Sequence, residues 1–427
     1  MALPSTPSKE NQPKIVQQRV VRTLLIVILL GGILFGIRSY RESKVDPEAS
    51  DRADTAGWIS AIEFKDEGQE IVAIKPDLSI VSPDGWHKGA TDRDSAWDPS
   101  GNFVFYISDQ AKNTFHVWRW NPTKTEALPR TVGSRGRSNP TFPTKPVAND
   151  QSMLITSGGL VMDFDPVNQK QTQILPPVGR EITVEGGQDG GGQQSQFSSM
   201  YSTLGTSFRI AAYCGGDKYI AAIMRRDEGD ILILQNMAPT GDQFEPPIPI
   251  AAGEHIDMSV NPTNGHVVFA VNGFQFPSQP PAQFVKNGKI TKPFQHYVAD
   301  LDPATKKQMI LVATPNNDAA FGYPAVNPKG DSVLLVVGPY KDGSLGHKAL
   351  ILSPIKDGAG SEIKPLVQGA IFEPAWDSKG DKLVYAKHDA EGKRTIFTSN
   401  ADGTSERSVS GGKGNFGFPH FSPQTGG

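Results

Sequence analysis

The sequence predicts an all-β protein, a β-propeller of about seven four-stranded blades preceded by one transmembrane α-helix. Three observations carry that prediction. A turn-and-strand unit recurs along most of the chain. Glycine (44) and proline (34) are in excess for 427 residues, as many short strands joined by tight turns require. One uninterrupted apolar run lies near the amino terminus. Six or eight blades are the alternative readings of the repeat.

In chain order, residues 1–19 are polar and contain Pro4, Pro7 and Pro13, the pattern of a disordered tail. Residues 20–37 read as a membrane anchor. Thr23 to Ile37 carries no charge, and Val20 and Val21 extend it toward the length of a spanning helix if Arg22 snorkels to the headgroups. Arg19, Arg22, Arg38 and Arg41 bracket the run, which argues against a buried core helix. A cleaved leader would need small residues after the run, but Phe35-Gly-Ile-Arg-Ser-Tyr-Arg41 is bulky and basic, so the segment reads as uncleaved. Lys9, Lys14, Arg19 and Arg22 precede it, and Arg38, Arg41 and Lys44 follow. That bias, together with the long chain behind the anchor, puts the amino terminus in the cytoplasm and the rest outside it, periplasmic or at the cell surface. Residues 38–56 form a charged stalk, and residues 57–427 the propeller.

Within the last region, copies of one unit recur. Ala96-Trp-Asp-Pro-Ser-Gly-Asn-Phe-Val-Phe-Tyr106, Val260-Asn-Pro-Thr-Asn-Gly-His-Val-Val-Phe-Ala270, Val326-Asn-Pro-Lys-Gly-Asp-Ser-Val-Leu-Leu-Val336 and Ala375-Trp-Asp-Ser-Lys-Gly-Asp-Lys-Leu-Val-Tyr385 are the strong ones. Asp or Asn opens the turn, Pro presets φ and Gly accepts positive φ. Weaker copies surround Gly68, Asp150 and Gly216. Markers at 68, 101, 150, 216, 265, 330 and 380 are spaced by 33, 49, 66, 49, 65 and 50 residues, near the period of blade repeats. The long intervals contain insertions at 186–194 and 274–294. A final half-unit, Phe416-Gly-Phe-Pro-His-Phe-Ser-Pro423, would leave a bare edge unless it closed the ring against the first blade; Ile59 to Phe64 is a rival first strand.

The stretch Phe372-Glu-Pro-Ala-Trp-Asp-Ser-Lys-Gly-Asp-Lys-Leu-Val-Tyr-Ala386, with Thr395-Ile-Phe-Thr-Ser-Asn-Ala-Asp-Gly403 and Gly417-Phe-Pro-His-Phe-Ser-Pro423, resembles the TolB-type propeller repeat. The match is closest in this last unit and fair around 96–106, 260–270 and 322–336. The resemblance implies the fold of residues 57–423. It leaves function open, because the family includes periplasmic scaffolds, non-catalytic domains of serine peptidases and sugar lyases.

Chemistry is sparse. No Gly-x-Ser-x-Gly elbow is present. The lone Cys214 excludes an intrachain disulfide and Cys-pair zinc sites. His87, His116, His255, His266, His296, His347, His388 and His420 show no ligand spacing and read as ordinary strand and loop residues. Trp97 and Trp376 share a repeat position and read as packing between blades. Trp118 and Trp120 alternate about Arg119, with one face in the core and the other exposed. Arg130, Arg135 and Arg137 read as a solvated basic loop. The glycine run at 186–192 lacks the Lys-Ser/Thr of a phosphate loop. Net charge is −3, without the basic excess of a nucleic-acid binder. No catalytic, cofactor-binding or metal-ligating residue is assigned. The expectation is a non-enzymatic scaffold that meets the bilayer through residues 20–37 and a protein or glycan through its rim. The alternative is a propeller-type polysaccharide lyase or hydrolase, which clustered His, Arg and acidic side chains at the channel mouth would favour.

Overall fold

The computed structural model describes residues 54–424 except 111–113, 132–136, 142–151, 158, 167, 178–200, 239–243, 275–284, 287–288, 291–294, 316–317, 357–361, 390 and 413. The predicted tail, anchor and most of the stalk therefore lie outside the described residues, as do the glycine run at 186–192 and the marker Asp150. Among the described residues, no helix is long and apolar enough to cross a membrane.

The all-β expectation holds. Ala53–Gly427 forms one compact unit whose strands pair antiparallel with their sequence neighbours. One sheet joins Asp92–Trp97, Val104–Ser108, His116–Trp120 and Ala127–Pro129 in that order, and the next joins Ser138–Thr141, Met153–Ser157, Leu160–Asp165 and Lys170–Leu175. Ala320–Val326, Ser332–Gly338, Ala349–Pro354 and Lys364–Gln368 form another, and Ile371–Trp376, Lys382–His388, Arg394–Asn400 and Arg407–Ser408 a fourth. Between these two pairs of sheets lies one of seven strands. It turns on Ile248–Val260, a strand of 13 residues. Its first half pairs with Gly229–Asn236 and its second with Val267–Phe274. The crossover is at Gly253, where a Cβ would lie 2.7 Å from the Asn272 carbonyl oxygen.

The chain ends share a sheet. Phe416–Phe421 pairs with Ile59–Lys65, which pairs in turn with Gly68–Ile74 and then Ile80–Val81. The two rival first strands are thus neighbours, the terminal one outermost in sequence and innermost in the sheet. Gly68 lies in the hairpin at the opposite end of this sheet from the repeat turns, so it is no counterpart of Gly101. That explains its short spacing.

Apolar layers fill the gaps between successive sheets. Ile62, Ile71, Trp97 and Trp120 meet between the first two, and Phe105, Ile107, Met153 and Phe164 between the next. Ile59, Val72, Phe372 and Val384 join the last sheet to the first. With a neighbour on each face, a middle strand buries every side chain, as Val104–Ser108 does. This accounts for unbroken apolar runs where a one-sided sheet would alternate.

The repeated tryptophan links sheets as expected. Trp97 Nε1 donates to His420 O (3.0 Å) and Trp376 Nε1 to Ala325 O (2.9 Å), each reaching the inner strand of the preceding sheet. The turns link up as well. Asn261 Nδ2 donates to Gly330 O at 2.9 Å, and a Cβ on Gly330, whose φ is +77°, would lie 2.5 Å from Asn261 Oδ1.

Candidate site at the inner strands

Asp92–Trp97 adjoins Ser138–Thr141, which adjoins Ser207–Cys214; Ile248–Val260 adjoins both that strand and Ala320–Val326, which adjoins Ile371–Trp376, then Phe416–Phe421 and again Asp92–Trp97. These inner strands carry a recurrent irregularity. Register shifts fall between Arg93 and Ala96, Ser138 and Thr141, Phe208 and Ile210, Gly322 and Ala325, and Phe372 and Ala375, with a matching shift opposite Phe418. Asp94, Asn139, Tyr323, Glu373 and Phe418 there have φ between 48° and 52°. L-residues enter that region at a cost, and strain of this kind concentrates at functional sites.

Each distorted residue bonds to a neighbouring inner strand. Asp94 Oδ2 accepts the Asn139 amide N–H at 3.3 Å, and the Asn139 side-chain amide donates to Arg209 O. Asp257 Oδ2 accepts the Tyr323 N–H at 3.2 Å, and Glu373 Oε2 that of Phe418 at 2.8 Å. An acid on one strand thereby fixes the bulge on its neighbour. What relates these residues is position in the repeat: Asp94, Arg209, Tyr323 and Glu373 each stand seven places before a turn glycine, and their side chains are two carboxylates, a guanidinium and a phenol. Sequence reasoning missed them for that reason.

On one side of the ring the charges gather. Arg209 lies 3.2 Å from Asp230 and 3.4 Å from Asp257, and Arg225 3.1 Å from the fully buried Asp230. His255 Nε2 is 3.1 Å from Asp257 Oδ1. Burial pushes the Asp257 carboxyl up, but the bond from His255 and the His255 and Arg209 charges outweigh it and hold it well below the usual range. Arg394 pairs with Glu373 at 3.2 Å and lies over the Phe372 ring at 3.9 Å. The His347 ring packs on Phe372 at 4.0 Å and Tyr323 at 5.6 Å. Burial, then the Arg394 charge, pushes His347 down to about 4, so it is neutral at pH 7. Burial, then Glu373 and Asp257, raises the Tyr323 phenol.

On the other side is a cavity of about 570 Å³ lined by Asp94, Trp97, Asn139, Ile210, Phe418 and His420, among others. Phe418 is 36% exposed there. His420 is likewise exposed along the cavity.

The remaining sequence candidates scatter. His116 and His296 are buried, and His266 bonds Asp300 at 2.8 Å. Among the described residues, no group of three or more His, Cys, Asp or Glu is set to hold a metal ion. Cys214 is buried, and burial pushes its thiol up to about 12. Two expectations fail. Arg119 is buried with its guanidinium over Phe103, so both faces of its strand are covered. Arg137 is buried against Ser157 and Gln171 rather than solvated; a guanidinium with planar stacking and several donors tolerates such sites. Arg135 lies outside the described residues.

No protein-family model matches the sequence, and no curated protein matches it. Solved structures do. The chain is similar to the puromycin hydrolase S511A mutant complexed with PGG (TM-score 0.50, 11% identity, 84% of this chain and 52% of that one). It is also similar to oligogalacturonate lyase in complex with manganese (0.48, 11%, 83% and 85%) and to TolB from Acinetobacter baumannii (0.47, 11%, 87% and 68%). At these identities the likeness concerns fold alone, and the fold is a β-propeller.

Proposed function

We propose that the chain is a closed, seven-bladed, TolB-like propeller held at the membrane by residues 20–37. It is exposed outside the cytoplasm and acts as a non-enzymatic scaffold for a protein or glycan. The ring closes through Phe416–Phe421, and the strand Ile248–Val260 serves two blades at once. The observation that carries the binding role is the cavity of about 570 Å³ at the inner strands, where the aromatic face of Phe418 is open to solvent. Concave sites with an apolar wall and a few fixed polar groups suit ligands. The charges nearby are committed to one another: Arg209 and His255 to Asp257, and Arg394 to Glu373.

A photo-crosslinking side chain at position 418 of the full chain, in native membranes, tests the reading. A discrete adduct that disappears with Asn139→Trp, which fills the cavity, is the expected result. No adduct, together with turnover of an oligosaccharide panel by the purified chain, overturns it.

The gathered Arg209, His255, Asp257, Tyr323, His347 and Arg394 favour a second reading, a polysaccharide lyase or hydrolase. Neutral His347 and the protonated Tyr323 phenol would be its proton-transfer pair. Tyr323→Phe and His347→Gln would then abolish turnover and leave binding intact.

A further inference from the structure

A second cavity, of about 470 Å³, opens where residues 54–58 enter the propeller. Ala56 and Gly57 line it, with the hairpin after Gly68–Ile74, the turn Asp377 to Lys382, and Arg407. Its cations are Lys75, Lys379, Lys382 and Arg407. None of the four forms an ion pair among the described residues, and Lys75 rests 5.1 Å from the Trp58 ring centroid. The lining acids are engaged. Asp377 Oδ1 accepts the backbone N–H of Asp381 (2.8 Å) and Lys382 (3.0 Å), and Asp381 pairs with Lys329 at 3.3 Å. At the hairpin tip, Asp77 folds back on Ser79.

Large apolar side chains stand beside this charge. Leu78 is 46% and Ile80 37% exposed; with Phe418 in the inner cavity, they are the exposed large hydrophobics among the described residues. Leu78 has φ +68°, where glycine or asparagine would be unstrained. Bonds from Lys75 N to Ser79 O and from Leu78 N to Lys75 O, both 2.9 Å, hold the strained tip outward. An exposed, strained leucine among unpaired cations contributes nothing visible to the fold.

We propose that this rim docks on an anionic membrane surface, with Leu78 and Ile80 entering the headgroup layer and Lys75, Lys379, Lys382 and Arg407 meeting lipid phosphates. The inference rests on the reading of residues 20–37 as the anchor. Sixteen residues (38–53) separate that segment from the first described residue, a reach of at most about 55 Å, and Ala56 and Gly57, just beyond it, line this rim. Juxtamembrane basic clusters with apolar neighbours are a known mode of lipid attraction.

The test uses the full chain in nanodiscs. Cys214 is buried, so an environment-sensitive dye labels a cysteine placed at Ser378, on this rim, or at Asp66, in the hairpin at the far end of the Ile59–Lys65 strand. A nitroxide lipid supplies the quencher. With phosphatidylglycerol present, quenching at Ser378→Cys is expected to exceed that at Asp66→Cys at least threefold. Pure phosphatidylcholine, 0.5 M salt or Leu78→Ser should erase the difference. Each cation contributes about fivefold to the docked-to-free ratio, so removing Lys379, Lys382 and Arg407 together lowers it roughly 100-fold. Equal quenching at the two positions, or quenching indifferent to lipid charge, overturns docking. Release of the chain by alkaline carbonate would defeat the anchor reading separately. The same two probes are then read with phosphatidylglycerol vesicles added to the released chain, where preferential contact at Ser378 supports docking and its absence overturns it.

Discussion

Replacing Asp92 with Asn should stabilise the protein at neutral pH and destabilise it slightly in acid. Asp92 is fully buried at the start of an inner strand. Its carboxylate accepts the Ile71 amide N–H at 3.0 Å and the Gln110 side-chain amide at 3.3 Å. Burial dominates, and it pushes the carboxyl up from 3.8 to about 6 against those bonds and one from Ser108. The folded state thus holds the proton more tightly than the unfolded state. Well below pH 4 both states are protonated and the group is neutral in the balance. As pH rises through 4 to 6 the unfolded chain ionises first, and stability is lost. Each tenfold change in proton affinity is worth about 1.4 kcal/mol, so the full penalty above pH 6 is roughly 3 kcal/mol. Asn keeps an acceptor for Ile71 and carries no charge, but its amino group needs a partner, which reduces the gain to about 1–2 kcal/mol. Thermal melts of Asp92→Asn and parent at pH 7.5 and pH 4 measure this. A variant that melts higher than the parent at pH 7.5 and below it at pH 4 is expected. Equal offsets at both pH values, or a lower melt at pH 7.5, would refute the assignment of the penalty to the buried charge.

Two further outcomes follow from the packing. Trp97→Phe and Trp376→Phe remove one indole hydrogen bond each and should cost about 1 kcal/mol by denaturant unfolding, against about 3–5 kcal/mol for alanine; no loss on Trp→Phe would mean the bonds to His420 and Ala325 are not formed in solution. His347 is pushed down to about 4 from 6.5, so its contribution is complete above pH 6.5 and lost as pH falls toward 4; His347→Gln should flatten that part of the acid limb by about 2 kcal/mol, and an unchanged limb in its melting profile would contradict the assignment.

What was legible in the sequence is what the repeat encodes in residue type. Trp97 and Trp376 stand at one repeat position, and both reach the preceding sheet as their recurrence implied. The turn glycines and asparagines were equally plain. The inner-strand ring was not, because Asp94, Asn139, Tyr323, Glu373 and Phe418 share a backbone conformation while their side chains range from carboxylate and amide to phenol and phenyl. Nor was the continuous strand Ile248–Val260, since a crossover at Gly253 resembles an ordinary strand interior. Arg119 and Arg137 misled for a related reason: charge argues for solvent until an aromatic face or a set of acceptors lies within reach.

The shared sheet at the chain ends bears on how the protein would carry load. A pull applied at residue 54 first meets a clasp. The Thr55 N–H donates to Gln424 Oε1 at 3.0 Å, and its hydroxyl bonds Gly101 O at 2.6 Å and lies 2.8 Å from the Ser422 hydroxyl. Behind the clasp, Ile59–Lys65 has a hydrogen-bonded neighbour on each edge. Tension along it acts in shear, so its bonds must yield together rather than peel singly. A chain pulled at residue 54 would therefore pass force into a strand paired on both edges without shedding Phe416–Phe421.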